Sequence, residues 1–287
     1  MKKAVKGGGK QHKLPTIDEF FLKERIAEAR GVIHAVADQS EKPLIIQFSG
    51  GRDSVALVGL VREVTERFIC CYMVSGIDFP ESVEFAARMG RELGVTLLFS
   101  QPNAHKGGFF DRLAKFRRWP TVESTWCNRD LKLRPQKKVI EMNFGKGVFY
   151  KLNGVRRYES SRRKMIYGID RFLDKDPEQP RSFRVHPLLL WTDDDVTNYL
   201  EMKGLPSSGL YKKYGVSGCY WCPFYQVDIY RSILRCEPDL YDEFIEWEVK
   251  LGAPSVIGEV YLGDLKREVV ANGTQPSIAS PEEEADA

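Results

Sequence analysis

Apolar positions in the first hundred residues repeat with two different periods. Residues 18–38 carry apolar side chains at helical spacing, which predicts a leading helix. Short apolar runs rich in branched residues predict strands buried on both faces: PLIIQF at 43–48, FICCYMV at 68–74 and VTLLF at 95–99. Helical spacing returns between these runs, over 54–66 and 80–94. Strands that alternate with helices predict an α/β fold, a doubly wound and mainly parallel sheet.

The pattern is looser after about residue 100. The elements predicted there are a helix over 130–142, a strand at 147–152 (GVFYKL), partly extended chain over 181–191 and helical chain over 226–251 with a break near Pro238. A helix from Thr192 to Met202 has a strong start signal. Thr192 can cap this helix, and the acidic residues Asp193–Asp195 suit its first turn.

Length, charge and the two chain ends narrow the class of protein. The 287 residues suffice for one large or two modest domains, and the net charge of +3 does not require a nucleic acid as partner. No apolar run reaches membrane-spanning length, and the start lacks the apolar stretch of a signal peptide, so we expect a cytoplasmic protein. Residues 1–16 predict a flexible basic arm, and residues 273–287 predict a disordered acidic tail.

The segment SGGRDS follows the first predicted strand and opens the next helix. Its two glycines let backbone N–H groups approach an anion, and the new helix directs its positive end to the same point. Its two serines can add hydroxyl donors, and its aspartate can hold a metal ion that bridges phosphates. A glycine pair alone indicates only a tight connection, but this combination after a buried strand favours nucleotide binding. The candidate ligands in the loop are Ser49, Gly50, Gly51, Arg52, Asp53 and Ser54.

The SGGRDS loop resembles the pyrophosphate loop of the adenine nucleotide alpha-hydrolase superfamily, which includes ATP pyrophosphatases and the phosphoadenosine phosphosulfate (PAPS) reductase family. Four further stretches resemble the PAPS reductase branch: VSGIDFPESVEFAARMGRELGV (74–95), TWCNRDLKLRP (125–135), GVRRYESSRRKM (154–165) and VHPLLLWTDDDVTNYL (185–200). The resemblance covers about residues 40–250. We therefore expect a nucleotide-binding alpha-hydrolase domain over 17–200 and a helical metal-site region over 201–272 packed on it.

The basic segment at 154–165 is the second candidate for anion binding. Arginine suits bidentate recognition of phosphate or sulfate, although a solvated basic loop is the alternative for any single arginine. The family resemblance falls on Arg156, which is therefore, with Asp53, a candidate catalytic residue. Glu159 is expected to orient an arginine, and His186 is expected to be a buried core residue. Further candidate nucleotide ligands are Lys132, Arg156 and Arg157.

The cysteines predict a metal site. Six cysteines in a cytosolic chain favour metal ligation or catalysis over disulfides, because that compartment keeps thiols reduced. In SGCYWCPF, Cys219 and Cys222 have a spacing that lets one turn present two thiolates to one metal. Cys127 lies in another segment, and for Cys236, on an apolar helical face, a buried structural role is the alternative. The predicted ligands of a [4Fe-4S] cluster, or alternatively of structural zinc, are Cys127, Cys219, Cys222 and Cys236.

Resemblance favours the cluster over zinc. GCYWCPF is similar to the Gly-Cys-Trp-x-Cys form of the DndC-like proteins of DNA phosphorothioation and their archaeal relatives, a cluster-bearing branch of the family. Cys70 and Cys71 are adjacent in a predicted strand, so their side chains should point to opposite faces of the sheet. We therefore expect these two cysteines in the core and not at a metal.

Three functions follow as hypotheses. Reductases of the family use a cysteine in a C-terminal Glu-Cys-Gly-Leu-His segment, and no cysteine follows Cys236 here. The first hypothesis is therefore an ATP pyrophosphatase. In it an acceptor oxygen attacks the α-phosphate of Mg²⁺-ATP and releases pyrophosphate, and sulfur then displaces the adenylate from the acceptor near the cluster. The second is a PAPS or adenylyl sulfate reductase that uses Cys127 or a cluster-bound thiol and releases sulfite. The third is a nucleotide- and cluster-binding subunit of a nucleic-acid modification or defence system.

These hypotheses imply particular partners. An adenine nucleotide is common to all three, and a sulfur donor or an electron donor protein belongs to the first two. The third adds a nucleic acid, contacted by the basic arm. We also expect the protein to be a homo-oligomer or a subunit of a complex.

Overall fold

The fold is built on one six-stranded sheet. The computed structural model describes residues 17–102, 107–206, 209–216 and 218–272. The strands are β1 (Leu44–Phe48), β2 (Phe68–Met73), β3 (Leu97–Ser100), β4 (Tyr150–Leu152), β5 (Leu173–Lys175) and β6 (Phe183–Val185). They lie in the order β3-β2-β1-β4-β6-β5, and all neighbours are parallel except the antiparallel pair β5 and β6.

Helices cover both faces of this sheet. They are α1 (Ile17–Gln39), α2 (Arg52–Arg62), α3 (Pro80–Glu92), α4 (Phe109–Phe116), α5 (Arg134–Phe144), α6 (Ser161–Ile166), α7 (Asp193–Lys203), α8 (Gly209–Tyr214), α9 (Val227–Cys236), α10 (Asp242–Leu251) and α11 (Leu262–Ala271). Apolar residues of α1, α2, α3 and α7 form the first core with one face, and α5 covers the other. The predicted doubly wound, mainly parallel α/β fold is confirmed.

The alternation of side chains along strand β2 places its two adjacent cysteines on opposite faces of the sheet. Cys70 packs in the first core, whereas Cys71 packs in the cluster on the opposite face with Ile45 and Phe149. Both thiols are buried. The expectation that these adjacent cysteines belong to the core is therefore confirmed, because a strand cannot direct neighbouring side chains to one site.

A second core, rich in aromatic rings, lies beside the sheet. Phe109 and Trp221 have ring centroids 5.4 Å apart, and Trp119 stacks on Phe244 at 6.0 Å. This core draws apolar residues from the segment around α4 and from helices α8 to α11. It therefore contains residues from both sides of the predicted domain boundary at residue 200, and the division at that point stays a prediction.

Several predicted elements differ from the structure in detail. The helix predicted over 130–142 begins as a π-helix at Asn128–Leu133 and continues as α5. The break predicted near Pro238 is confirmed, since a short 3₁₀ helix at Pro238–Tyr241 separates α9 from α10. The antiparallel edge strand β5 was not predicted, because its three residues are too few to show a period.

The predicted basic arm at 1–16 and the predicted acidic tail at 273–287 lie outside the described residues. Among the helices that the structure describes, none combines the length and the apolar character needed to cross a bilayer.

Candidate functional site

The predicted phosphate loop connects β1 to α2 and is tied together by its own serines. Ser49 Oγ donates a hydrogen bond to Ser54 Oγ at 3.2 Å, and Ser54 Oγ also lies 2.8 Å from the carbonyl oxygen of Gly51. The backbone N–H of Gly51 donates to Ser49 Oγ at 3.3 Å. Gly50 has a φ of +75°, a conformation that side chains disfavour. The serines thus shape the turn that the glycines permit.

A cavity of about 500 Å³ opens at this loop, at the carboxyl ends of β1 and β4. Ligands of open parallel sheets bind at this edge, because the loops that follow the strands converge there. The loop supplies five of the lining residues, but Gly50 is not one of them. The lining residues are Gln47, Ser49, Gly51, Arg52, Asp53, Ser54, Met73, Asn153, Gly154, Val155, Glu159, Arg163, Gly215, Val216 and Tyr225.

Asp53 lies at the wall of the cavity in close contact with the chain after β4. A Cβ added to Gly154 would lie 2.8 Å from Asp53 Cβ and 3.0 Å from its carbonyl carbon, so only glycine fits without movement. Burial raises the pKa of Asp53 above its ordinary value, and the neighbouring Arg156 and Arg52 oppose this rise in part. Asp53 thus combines a carboxyl group, access to the cavity and two cationic neighbours.

Arg156 lies behind the cavity wall. Its side chain is only 3% exposed, and it is absent from the described residues that line the cavity. Its Nε donates to Asp53 Oδ1 at 3.0 Å and its Nη2 donates to Asp193 Oδ1 at 3.0 Å. Its Nη1 is buried without a hydrogen-bond partner in the described part of the chain. Arg156 therefore braces Asp53, and direct contact with a nucleotide stays a prediction.

Arg163 is the arginine of the basic segment that reaches the cavity. It forms an ion pair with Glu159 at 2.7 Å, and both residues line the cavity. Burial raises the pKa of Glu159, and the charge of Arg163 opposes this. In the sequence, this pair could have been predicted from the spacing of four residues between Glu159 and Arg163, which brings two side chains together on a helical turn. Arg157, a predicted ligand, instead lies over the ring of Tyr158 at 5.2 Å.

The CxxC turn packs on the connection between β2 and α3. The backbone N–H of Phe79 donates to the carbonyl of Gly218 at 2.7 Å, and the N–H of Tyr220 donates to that of Ile77 at 2.9 Å. Cys219 Sγ lies 3.2 Å from Ser75 Oγ and 3.8 Å from Asp78 Oδ1. Residues after β2 thus place Cys219 at the same carboxyl edge of the sheet as the phosphate loop.

The thiol of Cys127 interacts electrostatically with the two cysteines of the turn. Burial raises the pKa of Cys127 to about 12, and the nearby Cys219 and Cys222 contribute to the rise. Burial likewise raises the pKa of Cys222 to about 11, with a contribution from Cys219. The three thiols are therefore close enough to influence one another electrostatically. That they share one metal stays a prediction.

Lys132 supplies a positive charge to this cysteine group. Burial alone would lower its pKa, but Cys219 and Asp78 outweigh this and raise the pKa above its ordinary value. The ammonium group also hydrogen-bonds Cys219. Lys132 was predicted as a nucleotide ligand, yet it is absent from the described lining of the cavity. Its contact with nucleotide stays a prediction, and its neighbours are the thiols.

The donor chemistry at the cysteine group suits a sulfur-ligated metal. Three neighbouring thiols beside one ammonium group form a soft ligand set in which Lys132 offsets part of the thiolate charge. Within the residues that the structure describes, however, no group of three or more His, Cys, Asp or Glu side chains is arranged to hold a metal ion. Cys236, the fourth predicted ligand, ends α9 and packs against the second core.

Tyr225 connects the cavity to the cysteine turn, and no sequence pattern indicated this role. Its ring lines the cavity, and its hydroxyl donates to the carbonyl oxygen of Cys219 at 2.8 Å. Gln47 and Asn153 are further lining residues that the sequence did not indicate. Asn153 Oδ1 lies 2.7 Å from His186 Nδ1, so the buried His186 is hydrogen-bonded as expected and contacts a residue of the cavity.

Comparison with protein families decides the family of this chain. The model of the phosphoadenosine phosphosulfate reductase domain matches residues 43–225. The chain belongs to this family. The part that matches the PAPS reductase model contains the phosphate loop, Arg156, Lys132 and three of the four predicted cysteine ligands, whereas Cys236 lies beyond it.

Proteins with several different names are similar in sequence to this member of the PAPS reductase family. It is 26% identical over 222 residues to the uncharacterized protein MJ0066 of Methanocaldococcus jannaschii, which is 77% of this chain and 44% of that protein. It is 26% identical over 185 residues to an adenosine 5'-phosphosulfate reductase of Geobacillus kaustophilus, which is 62% of this chain and 72% of the reductase. The chain spans less than half the length of its two relatives from M. jannaschii.

One solved structure extends the likeness of fold to the region around the cysteines. The U34-tRNA thiolase NcsA of Methanococcus maripaludis, determined with its [4Fe-4S] cluster, matches with a TM-score of 0.51 at 17% identity. The match covers 88% of this chain and 90% of the thiolase. At this level of identity the likeness concerns the fold.

Proposed function

We propose that this protein binds an adenine nucleotide with Mg²⁺ in the cavity and transfers adenylate to an acceptor, with release of pyrophosphate. We propose further that a sulfur nucleophile supplied by a separate sulfur donor attacks the activated acceptor at the neighbouring cysteine group, and that AMP leaves with the electrons of the broken C–O bond. The observation that carries this proposal is the shared wall of the two sites. Tyr225 lines the cavity beside the phosphate loop and is bonded to the backbone of Cys219.

The residues of the cavity have defined tasks in this reaction. Backbone N–H groups at the start of α2 bind the phosphates, and the helix end favours their negative charge. An acceptor oxygen attacks the α-phosphorus, and pyrophosphate leaves with the electrons of the broken P–O bond. Asp53 orients the metal-bound phosphates, braced by Arg156 at 3.0 Å. Bound Mg²⁺ supplies charge neutralisation at the phosphates.

The cysteine group has the second task. Cys127, Cys219 and Cys222 are the proposed ligands of an iron–sulfur cluster, which supplies sulfur- or electron-transfer chemistry when bound. Lys132 balances thiolate charge next to Cys219. The hydroxyl of Ser75, whose Oγ lies 3.2 Å from Cys219 Sγ, can hydrogen-bond this ligand and hold it in place. Cys236 remains the candidate for a fourth ligand, and structural zinc remains the alternative metal.

Pyrophosphate release tests the first step. We expect release from Mg²⁺-ATP in the presence of an acceptor, with RNA included because one structural neighbour is a tRNA thiolase. Asp53→Asn should lower the rate at least about tenfold, because it removes the carboxylate from the metal and the phosphates. Absence of both pyrophosphate release and ATP binding in the unsubstituted protein would refute the proposal.

Metal content tests the second step. After anaerobic reconstitution we expect bound iron and sulfide with broad absorbance near about 400 nm. Cys127→Ser, Cys219→Ser and Cys222→Ser should each remove most of the iron. Cys236→Ser tests the fourth predicted ligand: loss of iron would include Cys236 in the ligand set, and full retention would leave it as a residue of the second core. Colourless protein that binds zinc would contradict the cluster.

A reductase is the second candidate function. The relative from Geobacillus kaustophilus is an adenosine 5'-phosphosulfate reductase, and the thiol of Cys127 lies among other thiols near Lys132. Sulfite release from PAPS or adenylyl sulfate with a thiol reductant would support it. Full sulfite release by Cys127→Ser would show that this thiol does not perform the reaction.

A further inference from the structure

Asp193 contacts two arginines of the nucleotide site. It is the first residue of α7, where the sequence predicts only a favourable charge at the helix start. Thr192 and Asp195 form the reciprocal cap of this helix, with hydrogen bonds of 2.7, 2.9 and 3.1 Å, so the cap does not use the Asp193 side chain. Asp193 Oδ1 instead accepts from Arg52 Nη2 and, at 3.0 Å, from Arg156 Nη2.

Both of these arginines are connected to Asp53, one as its neighbour in the chain and the other by a hydrogen bond. Arg52 precedes Asp53 in the phosphate loop and also donates to Thr197 Oγ1 of α7 at 3.3 Å. Arg156 donates its Nε to Asp53 Oδ1 at 3.0 Å. Asp193 therefore fixes Asp53 from two directions, through the backbone of the loop and through the guanidinium that holds the carboxylate.

The charges alternate along this row of contacts. Asp53, Arg156, Asp193 and Arg52 follow one another, so each guanidinium is bonded to at least one carboxylate. Arg156 is only 3% exposed and already has an unpartnered Nη1 within the described chain, so water cannot readily replace a lost acceptor. Loss of the Asp193 charge would leave Arg156 with Asp53 as its remaining ion-pair partner among the described residues.

We propose that Asp193 is a positioning residue for nucleotide binding, one that orients Asp53 through Arg156 and Arg52. Asp193 is not among the described residues that line the cavity, so it acts through its two arginines and not by contact with nucleotide. This inference rests on the proposed function, because it assigns Asp53 the task of binding the Mg²⁺-nucleotide.

The test compares two neighbouring aspartates of the same helix turn. Binding of α,β-methylene ATP is measured by titration calorimetry at several Mg²⁺ concentrations. Asp193→Asn should raise the dissociation constant about tenfold and raise the Mg²⁺ concentration needed for half-maximal binding. Asp194→Asn, at an exposed position, should stay within about twofold of the unsubstituted protein. Asp193→Glu, which restores the charge, should recover at least half of the lost binding free energy.

The outcomes separate this inference from the proposed function. Equal binding by Asp193→Asn and the unsubstituted protein, or equal losses in Asp193→Asn and Asp194→Asn, would overturn the positioning role alone. A loss in Asp193→Asn without any change in Mg²⁺ dependence would also overturn it, because the effect would then bypass Asp53. Absence of nucleotide binding by the unsubstituted protein would overturn the proposed function and this inference together. Thermal melting serves as the fold control, and binding is measured well below the melting midpoint of each variant, because the loss of Asp193 also removes an acceptor of the buried Arg156.

Discussion

The two sides of the candidate site are built in opposite ways. On the nucleotide side, a loop at the end of parallel strands presents carboxylates that are each paired with arginine, as in Glu159 with Arg163 at 2.7 Å. On the cysteine side, thiols lie against an aromatic core and share one ammonium group, that of Lys132. The first side resembles a preformed anion site whose charges the protein already balances. The second offers soft ligands whose charge the chain balances only in part.

The difference also concerns what holds each side in place. The phosphate loop depends on the regular sheet and on α2, whereas the CxxC turn lies outside the sheet and is held by hydrogen bonds from the chain after β2 and from tyrosines of its own side, such as Tyr225 and Tyr230. We therefore expect the cysteine side to be the less stable of the two and to depend on anchors within its own helices. The predictions that follow test this contrast.

Glu248 is the anchor of the cysteine side, and its loss should have the largest effect. This buried carboxylate accepts hydrogen bonds from the N–H and Oγ of Ser255, and from the N–H groups of Leu262 and Gly263 at the start of α11. Glu248→Ala leaves these buried donors without their acceptor and should cost about 4 kcal/mol of unfolding free energy. Urea denaturation followed by tryptophan fluorescence measures this.

The position of the tryptophans makes the experiment selective. Of the five tryptophans, Trp191 packs in the first core and the other four pack in or against the second. We expect the fluorescence midpoint to fall by more than the midpoint followed by circular dichroism. Glu246→Ala in the same helix is the control, since its ion pair with Lys250 is exposed and contributes little. Coincident transitions in Glu248→Ala would show that both sides unfold as one unit.

The same contrast explains what the sequence could predict. The runs at 43–48 and 68–74 identify β1 and β2 because strands buried on both faces leave a continuous apolar signal. The SGGRDS loop could be located because its chemistry is contiguous in the chain. Asp53 and Cys219 were therefore found from local patterns, and the structure places both at the carboxyl edge of the sheet.

The remaining features depend on contacts between distant segments. Tyr225 reaches the cavity only because the CxxC turn packs on residues after β2, and no local pattern encodes that contact. Arg156 matches an anion-binding residue in type, but its burial between Asp53 and Asp193 follows from the meeting of three segments. Lys132, on the π-helix before α5, was predicted as a nucleotide ligand, yet its charged neighbours are Cys219 and Asp78, which come from distant segments.

Gly154 tests whether the nucleotide side depends on close packing around Asp53. In Gly154→Ala the new Cβ would lie 2.8 Å from Asp53 Cβ and 3.2 Å from its carbonyl oxygen, so the loop must move. We expect nucleotide to bind about 30-fold more weakly, which corresponds to about 2 kcal/mol of binding free energy. Iron content should not change, because the substitution leaves the cysteine side in place. Gly31→Ala, where the added Cβ meets open space, is the control. Normal nucleotide affinity in Gly154→Ala would show that the loop tolerates displacement.

The pH dependence of nucleotide binding should give the smallest effect and the clearest sign. Burial raises the pKa of Asp53 above 3.8 and that of Glu159 above 4.5. A carboxyl group loses its charge as the pH falls through its pKa, so a raised pKa moves this loss towards neutral pH. Mg²⁺-dependent nucleotide binding should therefore weaken several-fold as the pH falls from neutral into the acidic range, and the loss should begin at a higher pH than it would for an ordinary carboxyl group. Asp53→Asn, measured with the same nucleotide, should bind weakly and lose part of this dependence, which separates protonation of the protein from protonation of the phosphates. An identical pH profile in both proteins would mean that Asp53 does not titrate in this range.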